Sequence, residues 1–76
     1  MTYVFKELCG GMPAKWRVIR DGFVRRSQAE AFAVDWFIEH GHTVIDREND
    51  AEHNAIDYMT TRNGYMYQYA VEPCKA

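Results

Sequence analysis

The side chains best suited to chemistry lie in one stretch just after the middle of the chain. His40 and His42 are followed by alternating carboxylates and by His53. Imidazole and carboxylate groups bind zinc or manganese, so this composition is compatible with a metal site. The spacing of these residues matches no zinc-binding motif. We therefore expect a structural role for the histidines, with no metal and no cofactor.

Two cysteines, Cys9 and Cys74, are the only thiols of the chain. They do not form a CxxC motif, and no local pattern supplies the base that a cysteine nucleophile needs. Gly10 and Gly11 precede Pro13 and a strand rather than a helix, which argues against a phosphate-binding loop. The sequence therefore predicts a protein that is not an enzyme and has no catalytic residues.

Length and composition limit the class of protein. The 76 residues are 47% hydrophobic and 26% charged, which indicates a folded chain rather than a disordered one. We expect a single domain over residues 1–76, with space for one helix on one sheet. No apolar run is long enough to span a membrane and no targeting signal is visible, so we expect a cytoplasmic protein with no membrane partner.

In the N-terminal half, β-forming residues predict three strands. The first covers residues 2–8. The runs 16–20 and 23–26 flank Asp21 and Gly22. An Asp-Gly pair is typical of a two-residue hairpin turn, because both turn positions require positive φ. The sequence therefore predicts a hairpin that turns at this pair.

A helix is expected over residues 28–40. Ser27 and Glu30 have the spacing of a capping box, in which each side chain bonds a free amide at the helix start. Apolar residues recur with helical periodicity at Phe32, Ala33, Trp36 and Phe37. Gly41 follows the last periodic residue as a C-terminal cap. One side of the helix should therefore pack on the sheet and bury Trp36.

The C-terminal half predicts a strand at 43–46, an exposed acidic loop at 47–54, and a hairpin that turns at Asn63 and Gly64. The pairs expected in that hairpin are Thr60 with Tyr67, Tyr58 with Tyr69, and Ile56 with Val71. A helix at 50–59 is the alternative, because apolar residues there also satisfy helical spacing. Together the elements predict an α+β fold: an antiparallel or mixed sheet of about five to six strands with one helix packed on one face.

Charge is distributed unevenly along the chain. The net charge is −2, but residues 1–27 hold six basic and two acidic groups, while residues 28–76 hold three basic and nine acidic groups. The acidic residues expected to bind a partner are Asp35, Glu39, Glu48, Asp50 and Glu52. The basic residues that offer an alternative binding surface are Arg17, Arg20, Arg25 and Arg26. In the predicted hairpin Arg17 lies opposite Arg26, and such like charges need a nearby anion.

Four tyrosines share one face of the predicted C-terminal hairpin: Tyr58, Tyr65, Tyr67 and Tyr69. Such a face can pack beneath the helix as core, or it can remain exposed and stack nucleic-acid bases. Both interpretations stay open from the sequence.

Within residues 27–47, the run Ser27-x-x-Glu30-Ala31 is followed by Trp36, Gly41, Val44 and Arg47. This run resembles the helix-then-strand core of very small phage-encoded inhibitors, such as inhibitors of host RNA polymerase and anti-CRISPR proteins. No functional residue of those proteins can be matched to a position here. The resemblance implies a class of tiny, cytoplasmic, non-enzymatic proteins that cover a surface on a host complex.

The sequence therefore favours a non-enzymatic binding protein, an inhibitor of phage or mobile-element origin. Its expected partner is a host protein or nucleoprotein complex that handles nucleic acid, bound through charged surface contacts by a monomer or homodimer. The alternative is a small nucleic-acid-binding module that uses the basic first hairpin and the tyrosine face. Phosphate contacts would make nucleic-acid affinity fall steeply with salt, and this behaviour separates the two hypotheses.

Overall fold

The computed structural model describes residues 1–74 and contains one helix and one sheet. The elements in chain order are β1 (Tyr3–Cys9), β2 (Lys15–Phe23), α1 (Arg26–Glu39), β3 (Thr43–Asp50), β4 (Ala55–Arg62) and β5 (Tyr65–Pro73). All neighbouring strands are antiparallel, in the order β2-β1-β5-β4-β3. The predicted α+β fold is confirmed, with five strands. Within the described residues, no helix is long and apolar enough to cross a membrane.

The C-terminal hairpin forms as predicted. Asn63 and Gly64 have φ of 53° and 81°, the positive values that a two-residue turn requires. Thr60 lies opposite Tyr67, and the other two predicted pairs also form. The alternative of a helix at 50–59 is wrong, because residues from Ala55 onward extend along β5 and alternate between the two faces of the sheet.

The predicted hairpin at Asp21 and Gly22 is wrong. Both residues lie inside β2, which pairs along its length with β1. The chain turns instead between Cys9 and Lys15, where the sequence is rich in glycine. Gly22 keeps a positive φ of 81°, and the register between β1 and β2 shifts nearby. The dipeptide therefore belongs to an irregular strand, and Arg17 does not lie opposite Arg26.

The predicted loop at 47–54 is half wrong. Residues 47–50 continue β3, which pairs with β4 as far as Asp50 opposite Ala55. Only residues 51–54 form a turn. The segment is polar because β3 is an edge strand that is exposed along almost all of its length, and charged residues on an edge discourage pairing with other chains.

The helix begins two residues earlier than expected, at Arg26. The predicted capping box of Ser27 and Glu30 is wrong: the backbone N–H of Arg25 instead donates to Oε1 of Gln28, at 3.2 Å. The helix ends as predicted, with Gly41 at a φ of 73°. The N–H of His42 returns to the carbonyl of Phe37 at 2.8 Å, the bond of a Schellman cap.

The core lies between α1 and one face of the sheet. Phe5 is fully buried at its centre, and its ring contacts the rings of Phe37 and Tyr69 with centroids 5.6 and 5.7 Å apart. The helix stripe packs there as predicted through Ala29, Ala33 and Phe37. Trp36 is only partly buried, so its expected complete burial is wrong.

Candidate interaction surface

The face of the sheet opposite α1 is not covered by any element among residues 1–74. We call it the open face. Its side chains follow from strand alternation and register, since directly opposed residues share a face. From one edge to the other it carries Trp16 and Val18 on β2, Val4, Lys6 and Leu8 on β1, Met66, Gln68, Ala70 and Glu72 on β5, Ala55, Asp57, Met59 and Thr61 on β4, and Thr43, Asp46, Glu48 and Asp50 on β3.

Carboxylates concentrate at the β3 edge of the open face, in what we call the acidic strip: Asp46, Glu48, Asp50 and Asp57. Glu48 lies directly opposite Asp57 in the sheet, an arrangement that is unfavourable for like charges. Asp50 pairs with Nδ1 of His53 at 2.7 Å. The other three carboxylates form no ion pair with residues 1–74.

Two shallow depressions meet at Asp57. One, of about 100 Å³, lies between Asp46, Glu48 and Gln68. The other, of about 290 Å³, lies between Asp50, Asp57 and Glu72. Partial burial raises the pKa of Asp57, and the carboxylates of Asp50 and Glu72 raise it further, while Lys6 opposes them. The strip therefore concentrates negative charge that the fold does not neutralise.

The opposite half of the open face carries apolar residues around Lys6, and we call Val4, Leu8, Trp16 and Val18 the apolar strip. Val4 is buried, so the strip is exposed mainly at its β2 residues. Trp16 is 42% exposed and Val18 is 55% exposed. Lys6 is the one basic residue among the open-face positions, and it forms an ion pair with Glu72. Its Nζ also lies 4.5 Å from the centroid of the Trp16 ring. The basic charge on this face is therefore already neutralised.

The acidic residues predicted to bind a partner fall on two sides of the molecule. Glu48 and Asp50 belong to the acidic strip, and Glu52 lies in the turn that follows β3. Asp35 and Glu39 are exposed on α1, on the other side of the sheet. The structure does not bring these two sets together.

Sequence reasoning missed Asp46 and Asp57 as members of the acidic strip. Asp46, Glu48 and Asp50 alternate in the sequence, and alternation is the signal of one strand face. Treating residues 47–54 as a loop concealed that signal. Asp57 was recognisable only through its pairing with Glu48, which depends on the long-range register of the sheet.

The basic residues do not form one free surface. Arg17 lies opposite Glu7 and forms an ion pair with it. Arg26 pairs with Glu30 at 3.3 Å. The guanidinium of Arg20 lies over aromatic rings, 5.1 Å from the centroid of Phe32. Arg25 is exposed at the start of α1.

The four tyrosines differ in exposure. Tyr58 and Tyr69 are buried in the core beneath α1, and Tyr67 is half-buried beside His42. Tyr65 is 70% exposed. The core interpretation therefore holds for three of them, and the four do not form a continuous exposed platform for bases.

The three histidines lie in separate environments. His42 is buried, with Nδ1 2.9 Å from Oγ1 of Thr60 and Nε2 3.2 Å from the hydroxyl of Tyr69. The His40 ring stacks on Trp36, with centroids 4.0 Å apart. In the part of the chain that the structure describes, no three His, Cys, Asp or Glu side chains are placed to hold a metal ion.

Burial lowers the pKa of His42, and the nearby charge of Arg62 lowers it further. Burial likewise raises the pKa of Tyr69, with a further rise from the Glu7 carboxylate. The lowered pKa favours the neutral imidazole, and the hydrogen bonds of His42 join the end of α1 to β4 and β5. Cys9 is partly buried with its Sγ 3.7 Å from Oε1 of Glu7, and Cys74 is exposed.

No family model matches the chain, and neither curated proteins nor solved structures give a match.

Proposed function

We propose that the protein is a non-enzymatic inhibitor that covers a basic, nucleic-acid-binding surface of a protein or nucleoprotein complex. The observation that carries this proposal is the acidic strip, a row of carboxylates on a sheet face that α1 leaves uncovered. Three of its four carboxylates form no ion pair within residues 1–74, and the sheet positions them before binding, so a basic partner gains the attraction with little loss of conformational entropy.

The spacing of the strip suits phosphate mimicry. Alternate residues of an antiparallel strand lie about 6.8 Å apart, the distance that separates Asp46, Glu48 and Asp50 along β3. Phosphates of one DNA strand also form a row of evenly spaced negative charges, one for about every 3.4 Å of helix axis, and the carboxylates resemble that row in charge and regularity. A basic groove that binds the phosphates of a nucleic acid could therefore bind this row of carboxylates instead.

The competing function, direct binding of nucleic acid, has less support. It needs free cations, but Arg17 and Arg26 are paired with Glu7 and Glu30. It also needs exposed rings for stacking, but Tyr58 and Tyr69 are buried. Arg25 and Tyr65 are exposed, but two isolated side chains give a small fraction of the backbone contacts that such proteins use.

The experiment is a capture assay with the immobilised protein and a nuclease-treated bacterial lysate. We expect retained proteins to bind nucleic acid, and added duplex DNA to release them by competing for the same basic surface. Labelled DNA alone should not bind the immobilised protein, even at low salt. Direct DNA binding that weakens steeply with salt would contradict the proposal and support the alternative function.

A further inference from the structure

Two neighbouring rows of side chains that cross the open face change from apolar to acidic. The central row contains, from β2 to β3, Val18, Lys6, Ala70, Asp57 and Glu48. The row beside it begins with Trp16 and Leu8 and ends with Met59 and Asp46. An acidic surface that only imitated phosphate would have no use for an exposed tryptophan at its other side. The apolar strip therefore calls for an apolar element in the partner.

We infer that the open face binds a basic amphipathic helix of the partner protein, lying along the strands above β5. This inference rests on the proposed function and adds the kind of element that is bound. The helix would place its apolar side on Trp16 and Val18 and its lysine or arginine side chains over the acidic strip. Helices dock in this way when one of their sides is apolar and the adjacent side is charged.

The dimensions of the face fit a single helix. Neighbouring strands lie about 4.8 Å apart, so β1 with Leu8 and β4 with Asp57 are separated by about 10 Å, and β2 and β3 lie about 5 Å beyond them, within reach of long side chains. A helix with its side chains is about 10–12 Å wide. Between the two strips, β5 presents Gln68 and the small, buried Ala70, which leave the centre of the face low enough to receive it.

The two depressions beside Asp57 supply places for the basic side chains. They lie next to each other along β4, with Asp46 and Glu48 at one and Asp50 and Glu72 at the other. Basic residues one turn apart on a helix lie about 5–6 Å from each other, a spacing similar to that of alternate residues on a strand. Two successive turns of the partner helix can therefore each direct one cation into a depression.

Electrostatic repulsion argues against a second copy of the chain or a nucleic acid as the partner of the open face. A second copy placed face to face would bring two acidic strips and no free cation to the interface, since Lys6 is already paired with Glu72. Antiparallel pairing between two β3 edges places acidic residues opposite one another wherever Asp46, Glu48 and Asp50 overlap. A nucleic acid would bring phosphates to the same carboxylates.

The test uses two synthetic Lys/Leu peptides of identical composition. One has the pattern of an amphipathic helix, and the other is a sequence isomer without an apolar stripe. A fluorescent label on each peptide reports its affinity for the protein by anisotropy. We expect the amphipathic peptide to bind at least tenfold more tightly than its isomer, because only it can satisfy both strips.

Trp16 supplies a direct readout of where the peptide lies. The chain has two tryptophans, so Trp36→Phe leaves Trp16 as the single indole, provided that circular dichroism shows the native fold. The amphipathic peptide should shift Trp16 emission to shorter wavelength. Val18→Ala should weaken its binding several-fold, whereas Val34→Ala should not, because Val34 is similarly exposed but lies on α1.

The outcomes separate this inference from the proposed function. Equal binding of both peptides, with unchanged Trp16 emission, would overturn the helix inference and leave the acidic strip as a basic-partner surface. Weakening by Val34→Ala to the same extent as Val18→Ala would also overturn it, since the contact would not be specific to the open face. Failure of both peptides to bind at low salt would overturn the inference and count against the proposed function.

Discussion

On the face of the sheet beneath α1, Glu7 pairs with Arg17 and Glu30 pairs with Arg47, whereas on the open face Glu48 and Asp57 lie side by side without a cation. On the covered face, buried His42 forms a hydrogen bond with Thr60, while the buried Nε of Arg62 has no hydrogen-bond partner among residues 1–74. The same sheet thus has one face that stabilises the fold and one that carries unneutralised charge. Folding depends on the first face, which leaves the second free to serve binding.

The largest difference between the two faces should appear in aromatic truncations. Phe5→Ala removes the ring at the centre of the core and should cost about 3–5 kcal/mol, much of the stability of a small domain. Trp16→Ala on the open face loses a partly exposed ring and its contact with Lys6, at a cost of about 1 kcal/mol or less. Urea denaturation followed by circular dichroism measures both. Similar losses for the two variants would show that the open face is also part of the core.

A second prediction concerns the pH dependence of the covered face. The pKa of His42 in the folded protein is lower than the value of 6.5 for the free side chain, so below that pH the unfolded chain binds more protons. Stability from neutral His42 is therefore present above about pH 6.5 and is lost as the pH falls toward its folded pKa. Urea midpoints measured from pH 7.5 to 5 should decrease.

His42→Gln should flatten that pH dependence, because the amide keeps a polar group beside Thr60 but does not titrate. His53→Gln is the comparison: His53 is exposed in the turn after β3 and pairs with Asp50, so this variant shows how much of the slope comes from a surface histidine. An unchanged slope in His42→Gln would assign the acid sensitivity to another group.

The smallest expected effect lies on the open face. Asp57→Asn removes the repulsion from Glu48 and should raise stability at pH 7 by a few tenths of a kcal/mol, about the size of an unfavourable cross-strand pair. The same substitution should weaken binding of a basic partner. Differential scanning calorimetry tests the first part, and a lower melting temperature would mean that Asp57 has a stabilising partner in the fold.

The elements that local chemistry specifies were predictable from the sequence. Asn63 and Gly64 fix the β4–β5 turn and its register, and the stripe that contains Phe37 fixes the buried side of α1. Asp21 and Gly22 have similar turn chemistry, yet β2 continues through them because pairing with β1 along a whole strand is worth more than a local turn. Whether β2 turns or continues depends on its pairing with a distant segment, and a local sequence pattern carries no information about that pairing.

The candidate site was only partly predictable for the same reason. The acidic residues were visible, but their grouping depends on which strands are neighbours and which face α1 covers. Asp35 and Glu48 were both expected to bind a partner, and the fold places them on opposite sides of the sheet. Asp57 belongs to the acidic strip only because β4 pairs with β3, which places it opposite Glu48.

Two double charge reversals distinguish binding through the open face from binding through α1. Glu48→Lys with Asp57→Lys alters the acidic strip, while Asp35→Lys with Glu39→Lys makes the same change in net charge on α1. Both proteins must first give the circular dichroism spectrum of the native fold.

The measurement is the amount of DNA-displaceable protein that each immobilised variant captures from nuclease-treated lysate. We expect the open-face reversal to reduce capture at least tenfold, and the α1 reversal to leave it nearly unchanged. Loss of capture in the α1 variant alone, with full capture by the open-face variant, would contradict the account.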